Sequence, residues 1–204
     1  MNEYQQEQWS ALHQIMGTMA SIETLSGITL DNEICAYLQF RQQLEGFLNL
    51  HFGQFCIQTC FERQLSACCS KDGIITFWAD HVINAQCSDD RQIEALRKAI
   101  RQPMRQNKCI YLGNNGCLWK VRPLGCAMFL CDAVQHDVFK AQPSVERVWL
   151  DYVERARTYR WPDRPVLFDR LEQLFMAAGC RSALMYLNNS PGLLRIKKKA
   201  GLIG

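Results

Sequence analysis

Long apolar runs are what this 204-residue chain most plainly lacks. No stretch approaches the ~20 consecutive apolar residues that a membrane-spanning helix needs. The first residues, Met1-Asn2-Glu3-Tyr4-Gln5-Gln6-Glu7, are polar and acidic, where a secretory leader would show positive charge followed by an apolar core. Neither sign of charge dominates: 23 Lys and Arg against 20 Asp and Glu leave a net +3, too little for a strongly basic nucleic-acid binder. Nucleic acid is therefore not an expected partner, and neither is a membrane span. There is no G-x-G-x-x-G, no phosphate loop, and no Ser/His/Asp set that spacing would bring together. Histidine is scarce, at four residues. Repeats, low-complexity tracts and Gly/Ser linkers are also missing. These absences leave a single cytoplasmic domain as the expectation.

What is present is an ordinary globular composition, 48% hydrophobic and 21% charged, with one anomaly of 11 cysteines. In a reducing compartment, clustered cysteines serve more often as ligands than as disulfides. They divide the chain into three zones. Residues 1–52 hold only Cys35, residues 53–131 hold nine, and residues 132–204 hold only Cys180.

The flanking zones read as helices. Trp9, Leu12, Met16 and Met19 recur at helical spacing up to a break at Gly27. Asp31 or Asn32 can cap a second helix, along which Tyr37, Phe40, Leu44 and Phe47 share a face that His51 continues. In the middle zone Ser88 or Asp89 can open a helix with Ile93, Leu96 and Ile100 inward, closed by Pro103. Irregular loops are expected on either side of it. Further on, Ser144 can cap a helix that turns Val145, Val148, Trp149, Tyr152 and Val153 inward. Pro165 begins another, with Leu167, Leu171, Leu174 and Phe175 inward and Gly179 at its end. The stretch from Ser190, with Arg195 and Lys197 to Lys199, reads as a solvated basic tail. The expected fold is mainly α: a single helical domain, 1–204, with an irregular cysteine-rich metal-binding centre. Its parts are an N-terminal helical pair (1–52), a cysteine-cluster core (53–140) and C-terminal helices with the tail (141–204).

Eight cysteines form two groups in that core. One is Cys56 and Cys60 followed by the adjacent Cys68 and Cys69; the other is Cys109, Cys117, Cys126 and Cys131. Four thiolates satisfy one tetrahedral zinc or one 4Fe–4S cluster, and thiolate selects these over magnesium or calcium. The expected partners are thus a metal ion or cluster and an unspecified protein. No C-x2-C pair occurs, which departs from an ordinary zinc ribbon. Adjacent residues of an extended chain point to opposite sides, so Cys68 and Cys69 suit different positions better than one small ion. Excess thiolate charge needs donors and cations around it, and Arg122 in Trp119-Lys120-Val121-Arg122-Pro123-Leu124-Gly125-Cys126 is a candidate. Cys35, Cys87 and Cys180 read as packing residues. His51, His81 and His136 are minor ligand candidates, and His13 is uninformative.

The run from Cys109 through Gly116-Cys117, Trp119, Arg122-Pro123 and Cys126 to Phe129 resembles the YkgJ-like cysteine-cluster family. So does Cys68-Cys69 followed by Gly73, the apolar stretch Ile74 to Trp78, and Asp80. The two pieces, in order, span roughly residues 53–140. This chain departs from the family's tightly packed first cysteines, because seven residues separate Cys60 from Cys68. The resemblance implies zinc or iron chelation, a short apolar strand before an acidic helix start, and no particular reaction. A flagellin lysine methylase resembles the same family in its cysteine region, so a cluster-dependent lysine N-methylase is the alternative expectation. A cysteine-stapled interaction module is the third.

Overall fold

The computed structural model describes residues 1–26, 29–58, 75–103, 109–114 and 116–204, the side chains of 23–26 excepted. Its architecture is mainly helical, and a single helical domain accounts for the described residues. The two N-terminal helices, α1 (Glu3–Ser26) and α2 (Leu30–Cys56), follow the apolar spacing. Thr29, not Asp31 or Asn32, stands at the N-cap position of α2, without a side-chain cap hydrogen bond. Asp31 and Glu33 instead occupy its first turn, where negative charge meets the positive end of the helix dipole. Ile34, Tyr37, Phe40, Leu44 and Phe47 form its buried stripe.

At the centre lies α3 (Trp78–Cys87), in which every residue from Trp78 to Ala85 is buried. It packs against α1, α2 and α8. A helix buried on all sides is ordinarily apolar all round, yet this one carries Asp80, His81 and Asn84. Their polar atoms are satisfied by other segments, and this is what shapes the site below.

The α4 helix (Asp90–Arg101) begins at a reciprocal cap. Asp89 Oδ1 accepts from the Gln92 amide at 2.8 Å, and Gln92 Oε1 accepts from the Asp89 amide at 3.0 Å. Its C-terminal carbonyls are met from α1, where Gln5 Nε2 donates to Ile100 O at 2.6 Å and Gln102 O at 2.7 Å. Beyond it the expected loop contains an antiparallel hairpin, β1 (Leu112–Gly113) and β2 (Gly116–Cys117), pairing Leu112 with Cys117 and Gly113 with Gly116. Gly116 has φ of 109°, a conformation that favours glycine. Residues 75–77 form no strand, in contrast to the strand expected before α3.

Two short helices follow, α5 (Leu124–Ala127) and α6 (Asp132–Val134), the latter running into a π-turn at Gln135–Phe139. The long α7 (Pro143–Arg160) has Pro143 in its first turn. It buries Val145 and Trp149 but leaves Val148 46% exposed, against the expected inward face. Next come α8 (Leu167–Ala177), α9 (Tyr186–Asn189) and α10 (Pro191–Lys199). The expected solvated tail is thus a docked helix. Successive residues of a helix point 100° apart, so one member of the Lys197–Lys199 run turns inward. Lys197 is 1% exposed and donates to Asp169 Oδ1 at 2.9 Å and Asn188 Oδ1 at 3.1 Å.

Candidate metal centre

Cys109 precedes the hairpin, Cys117 lies on its second strand, and Cys126 is the third residue of α5. The hairpin folds the chain back so that the Leu118 amide donates to Tyr111 O at 2.9 Å, bringing the Cys109 and Cys117 stretches side by side. Backbone amides turn toward the sulfurs. The Tyr111 amide donates to Cys109 Sγ at 3.4 Å, the Leu112 amide donates to the Cys109 carbonyl at 3.1 Å, and the Trp119 amide favours the Cys117 thiolate.

Between Cys117 and Cys126 the backbone is gripped at three points by buried or half-buried side chains. Asn84 Oδ1 accepts from the Val121 amide at 3.0 Å, and Arg41 Nη1 donates to Arg122 O at 2.7 Å. Asp80 Oδ1 accepts from the Leu124 amide at 2.8 Å, while its Oδ2 accepts from the Phe77 amide at 3.0 Å. Asp80 and Asn84 are one turn apart on α3, so the helix presents both acceptors on one face. Asp80 therefore ties the start of α5, and with it Cys126, to the start of α3. A Cβ at Gly125 would stand 3.4 Å from Ile75 O, so the two segments run in van der Waals contact here.

The three thiols lie within electrostatic reach of one another. Burial pushes Cys109 up to about 12, and the Cys117 and Cys126 sulfurs add to the effect. Burial likewise pushes Cys126 up to about 11, reinforced by Asp80 and then Cys117, while Arg122 and Arg41 oppose it. Cys117 keeps an exposed edge, yet the crowding of its thiol raises it too, against the Trp119 amide and Arg122. All three are therefore neutral thiols near pH 7 when no metal is bound. Burial pushes Asp80 up to about 6, although two amides and the Arg41 and Arg160 charges act the other way. Among the described residues no three His, Cys, Asp or Glu side chains form a group that closes on one metal position. A cavity of about 410 Å³ between α4 and the hairpin has Cys109, Ala99, Ile110 and Leu118 in its wall.

A buried polar network backs the site. Gln8 Oε1 meets the Tyr111 hydroxyl at 2.8 Å, His81 Nε2 at 3.0 Å and Thr76 Oγ1 at 3.1 Å. Burial lowers His81 to about 3, so the ring is neutral and belongs to this network. The Trp119 ring stands 4.7 Å from it and 5.2 Å from Tyr111. His51 packs on Phe47 and Phe52, and His136 is exposed beside Asp137.

The other candidates are placed apart or not described. Cys60, Cys68 and Cys69 lie outside the described residues, as does Gly73. Cys56 ends α2 and Cys131 caps α6, both half-buried against the core. Cys180 is buried with its sulfur 3.4 Å from Thr18 Oγ1, Cys87 is half-buried, and Cys35 is exposed, which removes it from the expected packing set. Sequence reasoning missed Gln8, Arg41 and Asn84. The signal for Asn84 was available, since Asp80, His81 and Asn84 interrupt an otherwise apolar segment. Comparison with protein families, curated proteins and solved structures gives no match to this chain.

Proposed function

We propose that this protein binds a thiophilic metal, as an iron–sulfur cluster or zinc, on the thiolates of Cys109, Cys117 and Cys126. Further ligands come from Cys56, Cys60, Cys68, Cys69 and Cys131. The observation that carries the reading is that three thiols from separate stretches lie near enough to act on one another's charge, with the Tyr111 amide donating to Cys109 Sγ and the Trp119 amide favouring the Cys117 thiolate. Amide donors stabilise a thiolate far more than a thiol. The surroundings fit a thiolate–metal group: Arg122 and Arg41 supply positive charge, and the Tyr4 hydroxyl and Trp119 indole N–H are buried without a partner among the described residues. Coordination deprotonates a thiol outright, so the raised thiols release protons as metal enters.

Single replacement of Cys109, Cys117 or Cys126 by Ser lowers metal content, read by elemental analysis of anaerobically purified protein. Cys87→Ala and Cys180→Ala leave metal content unchanged and cost about 1–3 kcal/mol of packing. Equal metal content in both sets overturns the assignment.

A further inference from the structure

Cys109 opens a tight turn. The Leu112 amide closes that turn on the Cys109 carbonyl at 3.1 Å, and the Tyr111 amide donates to Cys109 Sγ at 3.4 Å. The sulfur thus takes the place that an aspartate or asparagine oxygen takes in an Asx turn. The peptide carrying the Tyr111 amide is the central one of the turn, and rotation of that peptide is what separates the common turn types. The amide keeps its aim only while Tyr111 itself is fixed. Tyr111 is buried and held at both ends. Its carbonyl accepts from the Leu118 amide at 2.9 Å, and its hydroxyl donates to Gln8 Oε1 at 2.8 Å. Gln8 is fully buried on α1, 103 positions away in the chain. Two further contacts set its side chain: His81 Nε2 meets Oε1 at 3.0 Å, and Gln8 Nε2 donates to Thr76 Oγ1 at 2.8 Å. Three residues earlier, Gln5 ties the same helix to the end of α4, so α1 is anchored without help from the hairpin. A neutral thiol is a weak acceptor, whereas a thiolate is a strong, charge-assisted one. The Tyr111 amide therefore matters most once the sulfur is deprotonated.

We propose that Gln8 is a positioning residue of the thiolate site: by holding the Tyr111 hydroxyl, it keeps the Tyr111 amide on the sulfur of Cys109 when that sulfur carries a metal. This rests on the metal-binding reading and deepens it. It makes α1 part of a site whose cysteines all lie elsewhere. Without Gln8 the Tyr111 hydroxyl is a buried donor with no acceptor, and the ring has to shift to find one. The shift reaches the sulfur because ring and amide belong to one residue of a four-residue turn.

The test uses Gln8→Met and Tyr111→Phe in the full chain, with Cys180→Ala as a variant destabilised elsewhere. In metal-free protein, solvent exchange of the residue-111 amide, read by NMR, is about two- to tenfold faster in the first two variants, the worth of one hydrogen bond. It is unchanged in Cys180→Ala. In zinc-loaded protein, Gln8→Met and Tyr111→Phe lose zinc to a competing chelator roughly 10–100-fold faster than wild type, the scale of partners that support a ligand. The double variant loses it no faster than the worse single one, because both residues act through one bond. Cys180→Ala releases zinc as wild type does. With NMR-active cadmium in place of zinc, the wild-type residue-111 amide proton couples to the metal through the sulfur, and this coupling is lost in both variants. A merely structural role lowers urea stability and leaves the coupling in place. Tyr111→Phe removes a single atom, so the test stands even if Gln8→Met fails to fold. Cadmium-loaded wild type without the coupling, or zinc release and coupling in Tyr111→Phe like those of wild type, overturns the Gln8 assignment and leaves the metal reading standing. Wild-type protein that takes up neither zinc nor cadmium overturns the metal reading, and the Gln8 assignment with it.

Discussion

Charge is the main difficulty at the level of single residues. Several thiolates around one metal leave an excess of negative charge, and Asp80 adds to it beside Cys126. Burying such a group requires nearby positive charge and hydrogen-bond donors. Arg122 acts on both Cys117 and Cys126, and Arg41 acts on Cys126. The two arginines differ in one useful respect. Arg41 grips the backbone through Arg122 O while it also donates to the Tyr37 hydroxyl, so changing it disturbs the loop. Arg122 contributes to that grip only its carbonyl, which any residue supplies, so a substitution there tests charge with the loop held in place. Arg122→Gln is expected to weaken metal retention against a chelator by roughly 10–100-fold. Arg122→Lys keeps the charge without the planar fork and falls between the two. Retention equal to wild type in Arg122→Gln would make this an ordinary surface arginine.

Among the elements, α10 depends most on buried charge. Lys197 on α10 pairs with Asp169 on α8, and Asn188 on α9 bridges Asp169 and Glu172. One ammonium thus pairs with one carboxylate, and Asn188 links a second, Glu172, to that pair. Burial pushes Glu172 up to about 7, with Asp169 adding to the effect and the Asn188 and Leu187 hydrogen bonds acting against it. A carboxyl whose folded value lies above its unfolded value of about 4.5 binds its proton more tightly in the native state. Its contribution is therefore fully present below about pH 4.5 and is lost as pH rises through about 7. Glu172→Gln keeps the shape and removes the titration. Urea unfolding between pH 5 and 8 should show wild type losing stability relative to Glu172→Gln by of order 3 kcal/mol or less. Parallel pH curves for the two proteins would mean that Glu172 stays ionised throughout. The same clamp explains how a lysine-rich segment becomes a docked helix, since Asp169 on α8 and Asn188 on α9 create a place for a single buried cation.

On the scale of the whole molecule, sequence patterns reveal the helical frame much better than the site it holds. Ile93, Leu96 and Ile100 behind Asp89 identified α4, because an amphipathic face and a cap are local signals. Such a pattern cannot mark α3, buried on every side, and two-residue strands are too short to show alternation. The cysteines were visible as candidates, but the path of the chain from Cys117 to Cys126 depends on grips from Arg41, Asp80 and Asn84, which lie 37 to 81 positions from the backbone groups they hold. Sequence spacing does help to choose between metals. Gaps of seven, eight and four residues among Cys109, Cys117, Cys126 and Cys131, with no C-x2-C pair, suit a cluster whose ligands are spread over several ångströms. Zinc gathers four sulfurs at about 2.3 Å around a single point, most readily from paired knuckles. Two four-thiolate zinc sites would use all eight central cysteines, so zinc is a real competitor, particularly in aerobically produced protein. The expected outcome is that anaerobically isolated protein is brown, contains iron and acid-labile sulfide, and bleaches on reduction. Colourless protein with stoichiometric zinc and no sulfide, even after anaerobic reconstitution, would exclude the cluster and leave the thiolate site intact, because both metals draw on the same deprotonated sulfurs.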